Sequence, residues 1–92
     1  GKAVLDGVDL GGADLTGASL RRASLRRALL IGADLSDAVL ARADLMEAKL
    51  PKARLDRADL RGANLYAADF LQAAFDETRV HGANVARTRL TR

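Results

Sequence analysis

Leucine, or a close substitute, stands at every fifth position of this chain. The series runs through Leu5, Leu10, Leu15, Leu20, Leu25, Leu30, Leu35, Leu40, Leu45, Leu50, Leu55, Leu60 and Leu65, then Phe70, Phe75, Val80, Val85 and Leu90. Alanine stands two residues before each of these, except at Val8, Thr78 and Thr88. A period of five suits neither regular element. On an α-helix five residues advance ~500°, so the leucines would spiral over every face. On a flat strand they would alternate between faces. The pattern predicts a chain that turns a corner in every repeat. The Ala and the Leu are two apart on a short extended segment and point the same way, inward. The residue between them points outward, and the remaining two make the bend.

Repetition of that unit coils the chain around its own side chains. Small Ala and large Leu alternate inside, and stacked coils pair their backbones at ~4.8 Å. Each buried Leu contributes roughly 1.5–3 kcal/mol, which gives a short chain a core without disulfide or metal. Such arrays are stabilised by neighbouring repeats.

The runs Ala13-Asp14-Leu15-Thr16-Gly17, Ala33-Asp34-Leu35-Ser36-Asp37, Ala58-Asp59-Leu60-Arg61-Gly62 and Ala63-Asn64-Leu65-Tyr66-Ala67 resemble the motif of the pentapeptide-repeat family along the whole chain. The resemblance implies an all-β fold, a right-handed quadrilateral parallel β-helix with one pentapeptide per side. Eighteen repeats, four to a coil, make about 4.5 coils and a rod ~22 Å long. Leu15, Leu35, Leu45, Leu55, Leu65, Phe70 and Phe75 are then expected in the core. Asp9, Asp14, Asp34, Asp44, Asp59, Asn64, Asp69 and Asn84 are expected to bond nearby turn amides. Glycines such as Gly7, Gly12, Gly17, Gly32, Gly62 and Gly82 are expected at corners.

Ninety-two residues suit one domain, residues 1–92. The repeat register holds at both ends, with no linker or capping helix. The chain reads either as a module of a larger protein or as a small protein that covers its open ends by association. It has no Cys, no apolar stretch of membrane-spanning length and no signal-peptide pattern, so a cytoplasmic location is the default expectation. The larger Phe70 and Phe75, with Thr78 and Thr88 in place of Ala, predict local repacking near the C-terminus.

With four repeats per coil, residues 20 apart share a face. The face of Leu15, Leu35, Leu55 and Phe75 carries Asp14, Asp34, Asp37, Asp56, Asp76 and Glu77 against Arg54 and Arg57, net −4. The face of Leu20, Leu40, Leu60 and Val80 carries Arg21, Arg22, Arg42, Arg61 and Arg79 against Asp59, net +4. The alternating column Asp37, Arg57, Glu77 predicts a structural ion-pair ladder. On a third face Ile31, Pro51 and Leu71 form one column, with Leu29 beside it and Met46 and Tyr66 on the preceding face. Contiguous outward apolar residues mark this strip as the candidate contact with a protein partner or a second copy.

No chemistry stands out. His81 is the sole histidine, and Ser19 on its face is three coils away, beyond nucleophile–base reach. The acidic ladders do not form the cage of six to eight oxygens that calcium needs. No phosphate-cradling loop appears, and a filled interior leaves no ligand-sized pocket. The expectation is a non-enzymatic structural or protein-interaction module with no cofactor, metal or catalytic residue. Its partners are another protein or a second copy, packed side by side or end to end. No membrane is expected as partner, and nucleic acid is disfavoured because no aromatic residue interleaves the arginines. The alternative is a DNA-mimic regulator binding DNA gyrase, which the family resemblance implies. Short length, the missing dimerising helix and a net charge of +3 depart from that group.

Overall fold

The computed structural model describes residues 2–90. Its backbone is a four-sided parallel β-helix. Fourteen β-bridges run between coils, and every one joins residue i to residue i+20, from Val4–Ser24 to Asp69–Arg89. Coil 1 spans residues 3–22, coil 2 residues 23–42, coil 3 residues 43–62 and coil 4 residues 63–82, with residues 83–90 opening the next turn. Each side contributes one bridging residue, so the sheets are ladders of single bridges rather than long strands. Principal extents of 37 × 27 × 24 Å make the molecule a squat prism rather than a slender rod.

One repeat shows why the pattern folds this way. The Leu25 N–H donates to the Asp44 carbonyl at 2.7 Å, and the Asp44 N–H to the Ala23 carbonyl at 2.9 Å. The Arg27 N–H donates to the Met46 carbonyl at 2.9 Å, again one coil on. The corner closes when the Ala28 N–H donates to the Leu25 carbonyl at 3.1 Å. That is a turn of type II, which needs positive φ at its third residue. The second corner residue of every repeat from Gly7 to Arg87 meets this demand. Gly7, Gly12, Gly17, Gly32, Gly62 and Gly82 have φ of 68–74°, and eleven other residues, Arg22 and Lys52 among them, have φ of 56–63°. Glycine therefore suits these corners but does not fill them. Each non-glycine residue here carries a backbone cost of ~1 kcal/mol.

Four of the five amide N–H groups in a repeat are thus bonded to backbone. The fifth, on the first corner residue, needs another acceptor. Asp9, Asp14, Asp34, Asp44, Asp59, Asn64, Asp69 and Asn84 each supply it: a side-chain oxygen accepts from the N–H two residues on, at 3.0–3.1 Å. Two corner amides are met from the neighbouring coil instead. Asp6 accepts from the Arg26 N–H and Asp56 from the Asp76 N–H, both at 3.1 Å. Where Lys49 precedes Leu50, the first corner residue is Pro51, which has no N–H to satisfy.

Coils 2 and 3 and most of coil 4 hold a continuous core of Ala and Leu. Leu25, Leu30, Leu35, Leu40, Leu45, Leu50, Leu55 and Leu60 are fully enclosed, and Leu65 and Phe70 extend the core upward. Two expected core residues differ. Leu15 is half-buried, and Phe75 is 38% exposed, its ring edge-on to Phe70 at 5.3 Å. Each belongs to a repeat with a stacked neighbour on one side only among the described residues, Leu15 with Leu35 and Phe75 with Leu55. Val80, Val85 and Leu90 are exposed for the same reason. With Leu65, Phe70, Phe75, Thr78 and Thr88 they line an apolar depression of about 300 Å³. The filled interior thus opens at its end, a pocket the periodic pattern does not anticipate. The two threonines that replace inward Ala bond their hydroxyls to carbonyls, Thr78 to Leu55 at 2.7 Å and Thr88 to Val85 at 2.9 Å. No buried side-chain N or O among the described residues lacks a partner.

Candidate interaction surfaces

The two turn residues of each repeat stand on corners, so the surface sorts by corner more sharply than by face. One corner stacks Gly11 and Gly12, Ile31 and Gly32, Pro51 and Lys52, then Leu71 and Gln72. Across one face lies a second corner with Arg26, Met46 and Tyr66 as first residues, and Leu29, Lys49 and Asp69 stack between the two. With Arg27, Glu47 and Ala67, the second residues of that corner, the twelve positions form a grid of three coils by four columns, with Leu29, Ile31, Met46, Pro51, Tyr66 and Leu71 as its large apolar members and Arg27 paired to Glu47 among them. Ile31 is 48% exposed, and the other five are half-buried. Lys49, exposed at the centre, makes no ion pair among the described residues.

A third corner is acidic. It carries Asp37, Asp56, Asp76 and Glu77 against Arg57, net −3. Arg57 holds Asp37 across the coil with two bonds, at 2.9 and 3.1 Å, and Arg54 on the adjoining face bonds Asp56 at 2.7 Å. The ladder therefore closes at Asp37–Arg57, and Glu77 makes no ion pair among the described residues. The Arg57 bonds hold the Asp37 carboxyl below the usual carboxylate range. Asp56, only 6% exposed, is lowered first by the Asp76 N–H and then by Arg54. Asp14 and Asp34 are lowered by bonds to Thr16 and Ser36 in their own turns.

The fourth corner is basic: Arg21 and Arg22, Ala41 and Arg42, Arg61 and Gly62, His81 and Gly82. Among the described residues Arg61 alone of these has an acidic partner, Asp59 at 2.8 Å. That pairing pulls Asp59 down to about 2. The sequence already gathers these arginines on one face; the structure adds which of them lack a carboxylate partner among the described residues.

His81 is exposed and Ser19 lies three coils from it, so the structure does not bring them together. Among the described residues no three His, Asp or Glu side chains cluster as metal ligands, and no helix is long and apolar enough to cross a membrane.

These features define the class: a β-helical repeat solenoid whose variation lies on its corners. The family model for pentapeptide repeats matches in 8 copies over residues 3–40, 23–62 and 53–92, and the chain belongs to that family. Among solved structures, a pentapeptide repeat protein from Nostoc Pcc 7120 is 42% identical, with a TM-score of 0.84 over 98% of this chain and 78% of that one. A pentapeptide repeat protein from the Arabidopsis thaliana thylakoid lumen is 33% identical, with a TM-score of 0.72. The match covers 91% of this chain and 62% of that one, so this chain spans less than two thirds of its length. A trypsin-treated form of QnrB1, a plasmid-mediated fluoroquinolone resistance protein, is 19% identical over 87% of this chain and 42% of that one. Its TM-score of 0.81 shows the shared fold alone. The comparison with curated proteins gave no match. The fold is the right-handed quadrilateral β-helix of these relatives.

Proposed function

We propose that this chain is a non-enzymatic interaction module whose contact surface is the apolar grid of Leu29, Ile31, Met46, Pro51, Tyr66 and Leu71. One observation carries the reading: six of twelve outward positions on four adjoining columns are large and apolar, while the acidic and basic corners carry no large apolar residue. The core leucines are enclosed and offer nothing to a partner. The grid spans three coils by one face, roughly 200 Å² by strand spacing and rise. A stable interface needs ~800 Å² per partner, so the contact is weak or is completed by surfaces around it.

The test is light scattering on the wild type and on Ile31→Lys and Leu71→Lys. The wild type should exceed its 9.8 kDa monomer mass as concentration rises. Both variants should stay monomeric with unchanged melting. Equal masses for all three would remove the grid as a self-contact.

A second reading, a regulator that binds DNA gyrase, rests on the acidic corner. Its row is interrupted by Arg57, and Arg54 neutralises Asp56 beside it. Inhibition of gyrase supercoiling that disappears at high salt would support it, and no effect at large protein excess would exclude it.

A further inference from the structure

The basic corner stands apart in how few of its arginines are paired. Arg26, Arg27, Arg54, Arg57 and Arg89 each have a carboxylate within 2.6–3.9 Å, and of the corner's own four only Arg61 does. Arg21, Arg22 and Arg42, with Arg79 on the adjoining face, make no ion pair among the described residues. Arg87 elsewhere is likewise unpaired among them. Three of these five, Arg21, Arg22 and Arg42, therefore share one corner, and Arg79 stands on the adjoining face beside Asp59 and Glu77.

The corner is also hollowed. Ala41, Gly62 and Gly82 put no long side chain on it, and Arg21, Arg42, Arg61 and His81 stand around them as the walls of a groove. The stem of Arg42 lies over Gly62, where an added Cβ would come within 3.2 Å of the Arg42 Cγ. Gly82 packs directly on the Gly62 backbone, where its added Cβ would lie 3.8 Å from the Gly62 N. The floor is thus backbone and small side chains, and the walls are cationic.

We infer that this groove docks an extended acidic segment of a partner protein, with Asp or Glu side chains taken by Arg21 and Arg42, the unpaired arginines of its walls. Guanidinium groups bind carboxylates through paired N–H donors, which suits a row of separate acidic side chains. The surroundings favour a narrow partner over a nucleic-acid duplex. The acidic corner lies one face away, ~10 Å for three extended residues. A duplex carrying a charge every ~1.7 Å of axis would meet that repulsion along its length. The aromatic residues Tyr66, Phe70 and Phe75 all lie elsewhere, so the groove offers no base stacking. The groove and the apolar grid occupy different corners, so each assignment stands or falls separately.

The experiment is fluorescence anisotropy with a labelled Glu-rich peptide of about ten residues. The full chain should bind it saturably at low salt, and less tightly as added salt shortens the reach of the charges. Arg21→Gln with Arg42→Gln should weaken binding roughly tenfold by removing two ion pairs. Ile31→Lys should bind as the wild type does. Absence of binding at low salt, an unchanged double variant, or equal loss in Ile31→Lys would overturn the assignment. So would tighter binding of a short random-sequence DNA duplex than of the peptide, which would assign the groove to phosphate.

Discussion

Replacing Pro51 by Ala exposes the bonding logic of the corner. At eight corners an Asp or Asn two residues before the first corner residue accepts its N–H, as Asp69 does for Leu71; here Lys49 occupies that place and Pro51 removes the donor. Pro51→Ala restores an N–H in a half-buried corner with no side-chain acceptor, and it loosens the unfolded chain. The second effect alone costs about 0.4–1 kcal/mol. Lys49→Asn added to Pro51→Ala supplies the missing acceptor and should return about 0.5–1.5 kcal/mol. With Pro51 in place, the same Lys49→Asn substitution has no N–H to meet and gains nothing from it. Asn is preferable to Asp because Asp69 is the next residue in the column. The double-mutant cycle should show a coupling of about 1 kcal/mol, read from urea denaturation followed by far-ultraviolet circular dichroism. Effects that add within ~0.3 kcal/mol would refute the assignment of the fifth N–H to the Asp or Asn side chain.

Leu45→Ala should cost about 2–5 kcal/mol, because Leu45 is fully enclosed in coil 3, and a small change on chemical denaturation would contradict its inward placement. Gly32→Ala should destabilise by about 0.5–1 kcal/mol although no atom lies within 4 Å of the added Cβ; the cost comes from φ of +68°, and a neutral result would show the corner to be adaptable. Lowered carboxylates contribute stability that is complete above their unfolded pKa of ~3.9 and is lost as pH falls through the folded value. For Asp59, lowered to about 2 chiefly by Arg61, the window runs from about pH 4 down to about pH 2. Melting temperature should fall across it, and Asp59→Asn should flatten that fall while keeping an acceptor for the Arg61 N–H.

The five-residue spacing exposed the fold because only a turn in every repeat can bring all the leucines inside. It also placed Asp and Asn at the turn amides, since their short side chains reach no farther. It was less informative about position along the axis. Leu15 and Leu45 look identical in sequence, but only Leu45 has a coil above and below it. Phe75 is exposed for the same reason, and the apolar depression around it follows. The corner conformation was half legible. Glycines marked six left-handed residues, whereas Arg22, Asp37 and Lys52 adopt the same backbone with no local signal. The basic groove was hidden because face-by-face sorting counted its arginines without showing which had partners. Pairing depends on the neighbouring coil, as with Arg57 and Asp37, 20 residues apart.

The central claim is that inward residues carry the fold and the outward residues of the apolar grid carry recognition. Methyl chemical shifts followed by NMR as the protein is diluted test it most directly. The expected result is concentration-dependent shifts at Ile31, Leu71, Met46 and Leu29, with Leu45 and Leu55 unchanged. Shifts confined to another corner, or spread equally into the core leucines, would contradict it.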